Sequence, residues 1–176
     1  MTTTQTIVCA IDGSDHAEKA AEIAADLALL HSADLRYVHV LMRDLTFGQL
    51  GKYAENIHLK DIIATEQKAI TELMTSGKVA FVPGACEAVV RQLAEIILLD
   101  AKELGEKRGV NTIRSVILDG HAAERILSYC EKSRADILIV GTRGLSGVKN
   151  FLLGSVSQKL MNHSTCTCVC VSSSAH

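Results

Sequence analysis

Residues 136–157 read DILIVGTRGLSGVKNFLLGSVS, and this stretch decides the fold. Its first five residues, 136–140, form a continuous apolar run of the kind found in strands that are buried on both faces of a sheet. Gly141 and Gly144 follow directly, and Gly154 precedes the next helical pattern. Glycines at a strand end allow positive φ and close backbone approach, so main-chain N–H groups can face phosphate oxygens. The stretch predicts a strand, an anion-binding loop and a helix.

Strands and helices alternate on both sides of this stretch, with apolar runs followed by residues at helical spacing. The predicted strands are 6–12, 35–41, 113–118, 136–140 and 167–171, and the predicted helices are 15–31, 59–76, 87–107, 122–133 and 155–162. This order predicts an α/β fold with an open, five-stranded, mostly parallel sheet covered by helices on both faces. Ligands of such sheets bind beyond the carboxyl ends of the strands, where the strand order reverses.

Two helix starts carry capping patterns. Asp15 with Glu18 predicts the cap of the first helix, and Ser155 with Gln158 has the spacing of a capping box. The unpaired N–H groups and the dipole of the later helix predict an anion site, to which the hydroxyls of Ser155 and Ser157 can add donors. The glycines alone fit a simple tight turn equally well, since neither a P-loop nor a Gly-x-Gly-x-x-Gly pattern is present.

The middle of the chain departs from the simple alternation. A crossover needs one helix, so we expect a single domain over residues 1–176 with a helical insertion around 43–85. Several apolar positions in and after the insertion fit either a partner-contact surface or, as we favour, the core. These positions are Ile62, Ile63, Ile96, Ile97, Leu98 and Leu99.

Composition excludes several classes of protein. Lys and Arg number 18 against 20 Asp and Glu, which leaves no surplus of positive charge for wrapping nucleic acid. Three Tyr, three Phe and no Trp are too few rings for stacking single-stranded bases. No apolar run approaches the roughly 20 residues of a membrane span, and the start lacks a signal peptide pattern. We therefore expect a cytoplasmic protein whose six cysteines are thiols.

Charged and imidazole side chains near the predicted sheet edge are candidates for a site. Asp12 ends the first strand and can hold a ribose hydroxyl or a Mg²⁺ that bridges phosphates, although a helix-start role is equally compatible. Arg143 and Lys149 can add positive charge to the loop, but exposed loop cations are usually only solvated. We expect His39 to be a packed strand residue and His121 to be a cap.

Three cysteines alternate with other residues in the last strand. Cys166, Cys168 and Cys170 have period-two spacing, which places all three sulfur atoms on one face about 6.6 Å apart. That spacing suits neither a disulfide between neighbours nor a tetrahedral zinc site. We expect small buried residues.

The sequence resembles the universal stress protein family. A Gly-x2-Gly-x9-Gly-Ser/Thr motif after the fourth strand marks the ATP-binding members of that family. Its positions are filled here by Gly141, Gly144, Gly154 and Ser155. The segments VCAIDGSDHAEKA, YVHVL, GHAAERI and DILIVGTRG share the resemblance, which covers the first 41 residues and the part after about residue 115. The middle, between residues 42 and 84, is longer than the family requires.

The resemblance implies an adenine nucleotide alpha hydrolase-like, Rossmann-like sheet with strand order 3-2-1-4-5. It places Asp12 beside the nucleotide and lets the backbone of Val40 read adenine, while the loop glycines and the following helix start hold ribose and phosphates. The implied nucleotide contacts are Ala10, Asp12, Val40, Gly141, Thr142, Arg143, Gly144, Gly154, Ser155, Val156 and Ser157. No catalytic residue is implied.

The function implied is that of an ATP-binding regulatory module in the stress response. ATP, ADP or AMP is the expected cofactor, with Mg²⁺ at Asp12 as an option, and the last strand, 167–171, is expected to form a homodimer. An unidentified protein partner is also expected. Two alternatives stay open. One is a slow ATPase or self-phosphorylating enzyme, and the other is a partner-binding dimer for which the nucleotide is irrelevant or is AMP or a cyclic nucleotide.

Overall fold

The computed structural model of the chain describes residues 5–41, 83–144 and 153–173, with side chains from residue 90 onward in the second range. The elements are β1 (Thr6–Ala10), α1 (Asp15–His31), β2 (Asp34–Leu41), α2 (Pro83–Lys107), β3 (Ile113–Asp119), α3 (Ala122–Ser133), β4 (Ile137–Gly141), α4 (Ser155–His163) and β5 (Thr167–Val171). The predicted helix over 59–76 lies outside the described residues. So does the predicted insertion, except for its last three residues, and both stay predictions.

All five strands are parallel and lie in the order β3-β2-β1-β4-β5. The predicted fold class and strand order are confirmed. The chain adds strands to one side of β1 as far as β3 and then crosses to the other side for β4. The order therefore reverses between β1 and β4, and the carboxyl ends of these two strands flank the crevice where such sheets bind ligands.

Each face of the sheet packs on its own pair of helices. In β1, Ile7 and Cys9 point to the face covered by α1 and α2. Val8 and Ala10 point to the opposite face, which is covered by α3 and α4. Because both sets are buried, β1 is apolar without a break from Ile7 to Ala10, as is typical of a strand in the middle of a parallel sheet.

The structure corrects both predicted helix caps. Ser14, not Asp15, precedes α1, and its side chain accepts a hydrogen bond from Ala17 N at 3.3 Å. Gly154, not Ser155, is the N-cap residue of α4, and it has no side chain to cap with. In each case the N-cap residue lies one position before the residue that the capping pattern indicated. The predicted cap of α1 and the predicted capping box of α4 were therefore wrong by one position.

Helix α2 begins at Pro83, four residues earlier than predicted, because proline suits the first turn of a helix. Ile97 and Leu98 are buried and Ile96 is partly buried, as expected for core positions. Leu99 is 54% exposed, so the core interpretation was wrong for that residue. Within the described ranges, no helix combines the length and the apolar character needed to span a bilayer.

The cysteines of the last strand lie on one face, as predicted. Cys166, Cys168 and Cys170 all pack against the α3–α4 side of the core. They are half-buried and not fully buried, because β5 is the outermost strand of the sheet. Burial raises the pKa of the Cys168 thiol, and also that of Cys130 on α3, to about 12. These thiols therefore stay protonated at neutral pH.

Candidate functional site

The loops that leave β1 and β4 meet at the reversal point of the sheet. Ser14 Oγ, at the start of α1, lies 3.4 Å from the main-chain oxygen of Arg143. Gly144 lies so close to Asp12 that a Cβ atom there would overlap the carboxylate oxygen Oδ2. Two positions that the sequence placed independently at one sheet edge, Asp12 and Gly144, are thus in direct contact.

The Asp12 carboxylate is held in a fixed orientation by its own loop. Its Oδ1 atom accepts hydrogen bonds from Ser14 N at 3.1 Å and from Ser14 Oγ at 2.6 Å. Gly13 permits this turn with a φ of 82°, in the left-handed region. Hydrogen bonds to a charged acceptor are short and comparatively strong. Ser14 therefore both starts α1 and orients the carboxylate.

Gly141 is required by packing and not by an unusual backbone angle. A Cβ atom there would lie 2.9 Å from both the carbonyl carbon and the Cβ of His16, in the first turn of α1. The positive-φ glycines of the described ranges are Gly13, Gly109 and Gly120, so the positive φ considered for Gly141 and Gly144 is not found. The close approach is present, but it is to the protein's own chain.

The start of α4 is open by comparison. Gly154 N donates to Thr142 O at 2.7 Å, and a Cβ at Gly154 would meet its nearest atoms at an ordinary 3.6–3.7 Å. The next three N–H groups, from Ser155 to Ser157, have no acceptor within the helix. Gly154, the N-cap residue of α4, has no side chain that could accept from these N–H groups. The N–H groups of Ser155, Val156 and Ser157, together with the helix dipole, favour a negative charge here.

Ser157 has a different role from the one predicted. The residue is 3% exposed, and its hydroxyl donates to Gly141 O at 2.8 Å and to Thr142 O at 3.1 Å. The single hydroxyl hydrogen is therefore used inside the protein. Ser157 fastens α4 to the end of β4, while Ser155, at the first helical position, is exposed.

Main-chain groups of Val40 lie beyond the end of β1. The last paired residues of the two strands are Ala10 and Val38, and Ile11 N donates to Val38 O. Because alternate residues of a strand point their N–H and C=O groups to the same side, Val40 directs its own toward the β1 side. The pairing of β1 with β2 ends at Val38, so the main-chain groups of Val40 have no partner on β1. Their position suits main-chain recognition of a flat polar ring.

His39 is a packed strand histidine, as predicted. It is 1% exposed, and its Nδ1 donates to Ile11 O at 2.9 Å, since a carbonyl oxygen can only accept. Burial lowers the pKa of His39, so the ring is neutral at physiological pH. The bond fixes Ile11, the residue before Asp12.

Three further side chains were predicted as candidates for the site: His121, Arg143 and Lys149. His121 occupies the N-cap position of α3, but its exposed side chain makes no capping hydrogen bond. Arg143 is half-buried in the loop after β4, and Lys149 lies outside the described residues. In the parts of the chain that the structure describes, no group of three or more His, Cys, Asp or Glu side chains is placed to hold a metal ion.

Sequence reasoning missed two residues of this edge, Ser14 and His16. Ser14 could have been found, because serine directly before a helical pattern is a preferred N-cap. His16 has no comparable signal. Its Nδ1 accepts from Ser173 N at 2.8 Å and lies 3.3 Å from Thr142 Oγ1, contacts between residues far apart in the sequence.

A family model described as the universal stress protein family matches residues 3–172. The chain belongs to this family. It is 30% identical over 162 residues to universal stress protein YxiE of Bacillus subtilis, with 91% of this chain and 93% of that relative covered.

Solved structures of universal stress proteins share the fold. A universal stress protein in complex with cAMP matches with a TM-score of 0.61 and 21% identity, over 98% of this chain and 100% of that one. The universal stress protein from Archaeoglobus fulgidus in complex with dAMP matches with a TM-score of 0.58 and 18% identity, over 97% and 99%. At such identities the likeness is one of fold.

Proposed function

We propose that this universal stress protein is an ATP-binding regulatory module of the stress response, with its nucleotide in the crevice between β1 and β4. The observation that carries the proposal is the start of α4, whose N-cap residue Gly154 has no capping side chain and which lies against the same 142–144 loop as the Asp12 carboxylate. A helix start attracts phosphate, and a carboxylate accepts hydrogen bonds from ribose hydroxyls. The bound cAMP and dAMP of two structural relatives support an adenine nucleotide.

The phosphates are proposed to lie at the start of α4. The main-chain N–H groups of Ser155, Val156 and Ser157 would donate to them, together with the Ser155 hydroxyl. Thr142, Arg143 and the three motif glycines form the surrounding backbone. Gly141 contributes by letting the loop pack on α1, which places the N–H groups correctly without contact to the ligand.

The base and sugar are proposed to lie nearer β1 and β2. Main-chain groups of Val40 would bind the adenine edge, with Ala10 forming part of the apolar wall. Asp12, already oriented by Ser14, would accept the ribose hydroxyls through its carboxylate. This arrangement needs no aromatic side chain, in agreement with the scarcity of such residues.

The residues at this edge fit Mg²⁺ carried by the nucleotide better than a resident metal. Mg²⁺ in proteins is commonly held by one or two carboxylates together with substrate phosphates. Asp12 is one such carboxylate, and the described residues offer no cluster of three ligands. When bound, the ion would neutralise phosphate charge next to Asp12.

The proposal is tested by calorimetric titration of Mg-ATP into the protein and two charge variants. Ser155→Glu places a carboxylate at the first position of α4, where it stabilises the helix but repels phosphate. Asn162→Glu adds the same charge at the exposed far end of that helix, about 10 Å away. We expect Ser155→Glu to abolish binding and Asn162→Glu to keep it. Absence of heat with the unaltered protein would contradict the proposal.

Competition experiments identify the nucleotide and its fate. We expect ADP and AMP to displace ATP, and we expect ATP to remain intact, since the sequence has no P-loop lysine motif and Asp12 is already engaged by Ser14. Phosphate release above the buffer rate, lost in Ser155→Glu, would instead establish the slow ATPase.

Strand β5 is proposed to be the contact of a cytoplasmic homodimer. It lies at the sheet edge and pairs with β4 alone among the described strands, so its outer N–H and C=O groups can accept another strand. Light scattering at micromolar protein should give twice the mass of one chain. A monomer would remove this part of the proposal and leave the nucleotide site unaffected.

A further inference from the structure

His16 connects three segments that are distant in the sequence. Its Nδ1 lies 2.8 Å from Ser173 N and 3.1 Å from Ser173 Oγ, just after β5. The same nitrogen lies 3.3 Å from Thr142 Oγ1, just after β4. His16 itself belongs to the first turn of α1, which follows β1. One ring nitrogen thus contacts the segments that follow β4 and β5, and His16 itself belongs to the segment that follows β1.

The contact with Ser173 determines where the imidazole carries its hydrogen. A main-chain N–H can only donate, so Nδ1 must accept and cannot be protonated. The neutral ring therefore carries its hydrogen at Nε2. This is the opposite tautomer from that of His39, whose Nδ1 donates to Ile11 O.

Thr142, which adjoins His16, also holds the candidate phosphate loop. Its N–H donates to Val171 O at 2.7 Å, and its carbonyl accepts from Gly154 N at 2.7 Å. The Ser157 hydroxyl reaches the same carbonyl at 3.1 Å. Thr142 therefore joins β5 to the start of α4. Any displacement of Thr142 must move Gly154 as well.

His16 also contacts the loop through van der Waals packing. The open side of Gly141, the residue before Thr142, is filled by the His16 backbone and Cβ. Densely packed contacts of this kind transmit displacements, because there is no space to absorb them. His16 is thus coupled to the loop by a side-chain contact and by packing.

We propose that His16 is a positioning residue that ties the segment after β5 to the loop 141–144, and thereby fixes the start of α4. Its effect on affinity rests on the proposed nucleotide function, whereas the anchor itself does not. The segment after β5 then positions the phosphate site without contacting the ligand, through the contacts of Ser173, His16 and Thr142.

The anchor is tested without any ligand by NMR. Long-range ¹H–¹⁵N correlations should show hydrogen at Nε2 of His16, and the Ser173 amide should exchange slowly. His16→Ala should speed the exchange of Ser173 and also of Gly154. His16→Asn, whose Oδ1 takes about the place of Nδ1 and accepts a hydrogen bond, should keep both slow. Hydrogen at Nδ1, or unchanged Gly154 exchange in His16→Ala, would overturn the inference.

The effect on the site is tested with Mg-ATP. His16→Ala and deletion of residues 173–176 should each raise the Kd about fivefold, as expected for loss of one ordinary hydrogen bond. His16→Asn should restore binding to within about twofold, and His31→Ala, an exposed histidine of the same helix, should bind normally. Equal affinity in His16→Ala would overturn the coupling. If the unaltered protein binds no nucleotide, the proposed function fails, and the exchange of Gly154 still decides the anchor.

Discussion

The two halves of the glycine motif differ in what surrounds them. Gly141 and Gly144 are enclosed by the protein itself, the first by the His16 backbone and the second by the Asp12 carboxylate. Among the described residues, a Cβ at Gly154 would make ordinary contacts only, and Gly154 has no side chain to cap the helix that follows it. The first half is thus required for close packing, and the second half is followed by helix N–H groups that have no acceptor within α4. One sequence motif combines two separate physical requirements.

The largest effect is expected at Gly141. Gly141→Val would push a branched side chain into the first turn of α1, where the nearest atoms are backbone and cannot rotate away. We expect a loss of about 3 kcal/mol in the free energy of unfolding, measured by urea denaturation. Gly154→Val is the matched control in the open half. Equal losses in the two variants would show that the two halves do not differ in packing.

Ser157 connects the two halves, and its replacement should have the next largest effect. Ser157→Ala removes the buried donor that reaches Gly141 O and Thr142 O. We expect a loss of about 1–2 kcal/mol in the free energy of unfolding. Ser155→Ala, which removes an exposed hydroxyl two residues earlier, should change it little. A larger loss for Ser155→Ala than for Ser157→Ala would contradict the assignment of the stabilising hydrogen bonds to Ser157.

Acidification should lower the free energy of unfolding through His39, whose ring holds Ile11, the residue before Asp12. Burial lowers the pKa of His39 in the folded protein, so below about pH 6.5 the unfolded chain binds a proton that the folded chain does not. Its contribution to stability is therefore present above that pH and falls as the pH decreases, by at most about 1.4 kcal/mol per pH unit.

The His39 contribution is isolated by comparing urea denaturation of the protein and of His39→Asn at pH 7.0 and pH 5.5. Asparagine can keep a donor near Ile11 O but does not titrate. We expect the loss of stability on acidification to be about 1 kcal/mol smaller in the variant. An equal pH dependence in both proteins would assign the effect to other groups.

The smallest effect on stability is expected at Gly154. With φ of −71° and ψ of 160°, this position accepts alanine without strain, and the added Cβ meets no atom of the described residues closer than 3.6 Å. Alanine is a weaker N-cap than glycine, but it also makes the unfolded chain less flexible. These two effects on the free energy of unfolding offset each other. We expect Gly154→Ala to change the free energy of unfolding by less than about 0.5 kcal/mol in urea. A loss above about 1 kcal/mol would mean that Gly154 is as enclosed as Gly141.

Most of the fold was predictable because apolar periodicity and burial coincide. The predicted bounds of α1, α3 and β5 agree with the structure, and other strand bounds differ by one or two residues. The errors concerned the N-cap residues of α1 and α4 and the start of α2. Ser14 and Gly154 were missed as caps because several adjacent residues satisfy the capping pattern, and only the backbone geometry selects one.

The candidate site was predictable in location but not in the role of each residue. Parallel strands bring Asp12, Val40 and Gly141 to one edge, which the order of elements already implies. That Ser157 donates inward, and that Gly141 packs on His16, depends on how α4 and α1 meet β4. Such contacts join residues 16 or more positions apart, beyond the reach of local patterns.

The sequence by itself determined the strand and helix order, the burial of β4 on both faces, and the glycine spacing that marks the edge, since these follow from local periodicity and composition. Tertiary structure alone decided which glycines are enclosed, which serine of the α4 start donates inward, and that His16 links Ser173 to Thr142. The physical reason is distance along the chain. A hydrogen bond or a steric overlap has a short range in space, and only the packed sheet brings its partners within that range.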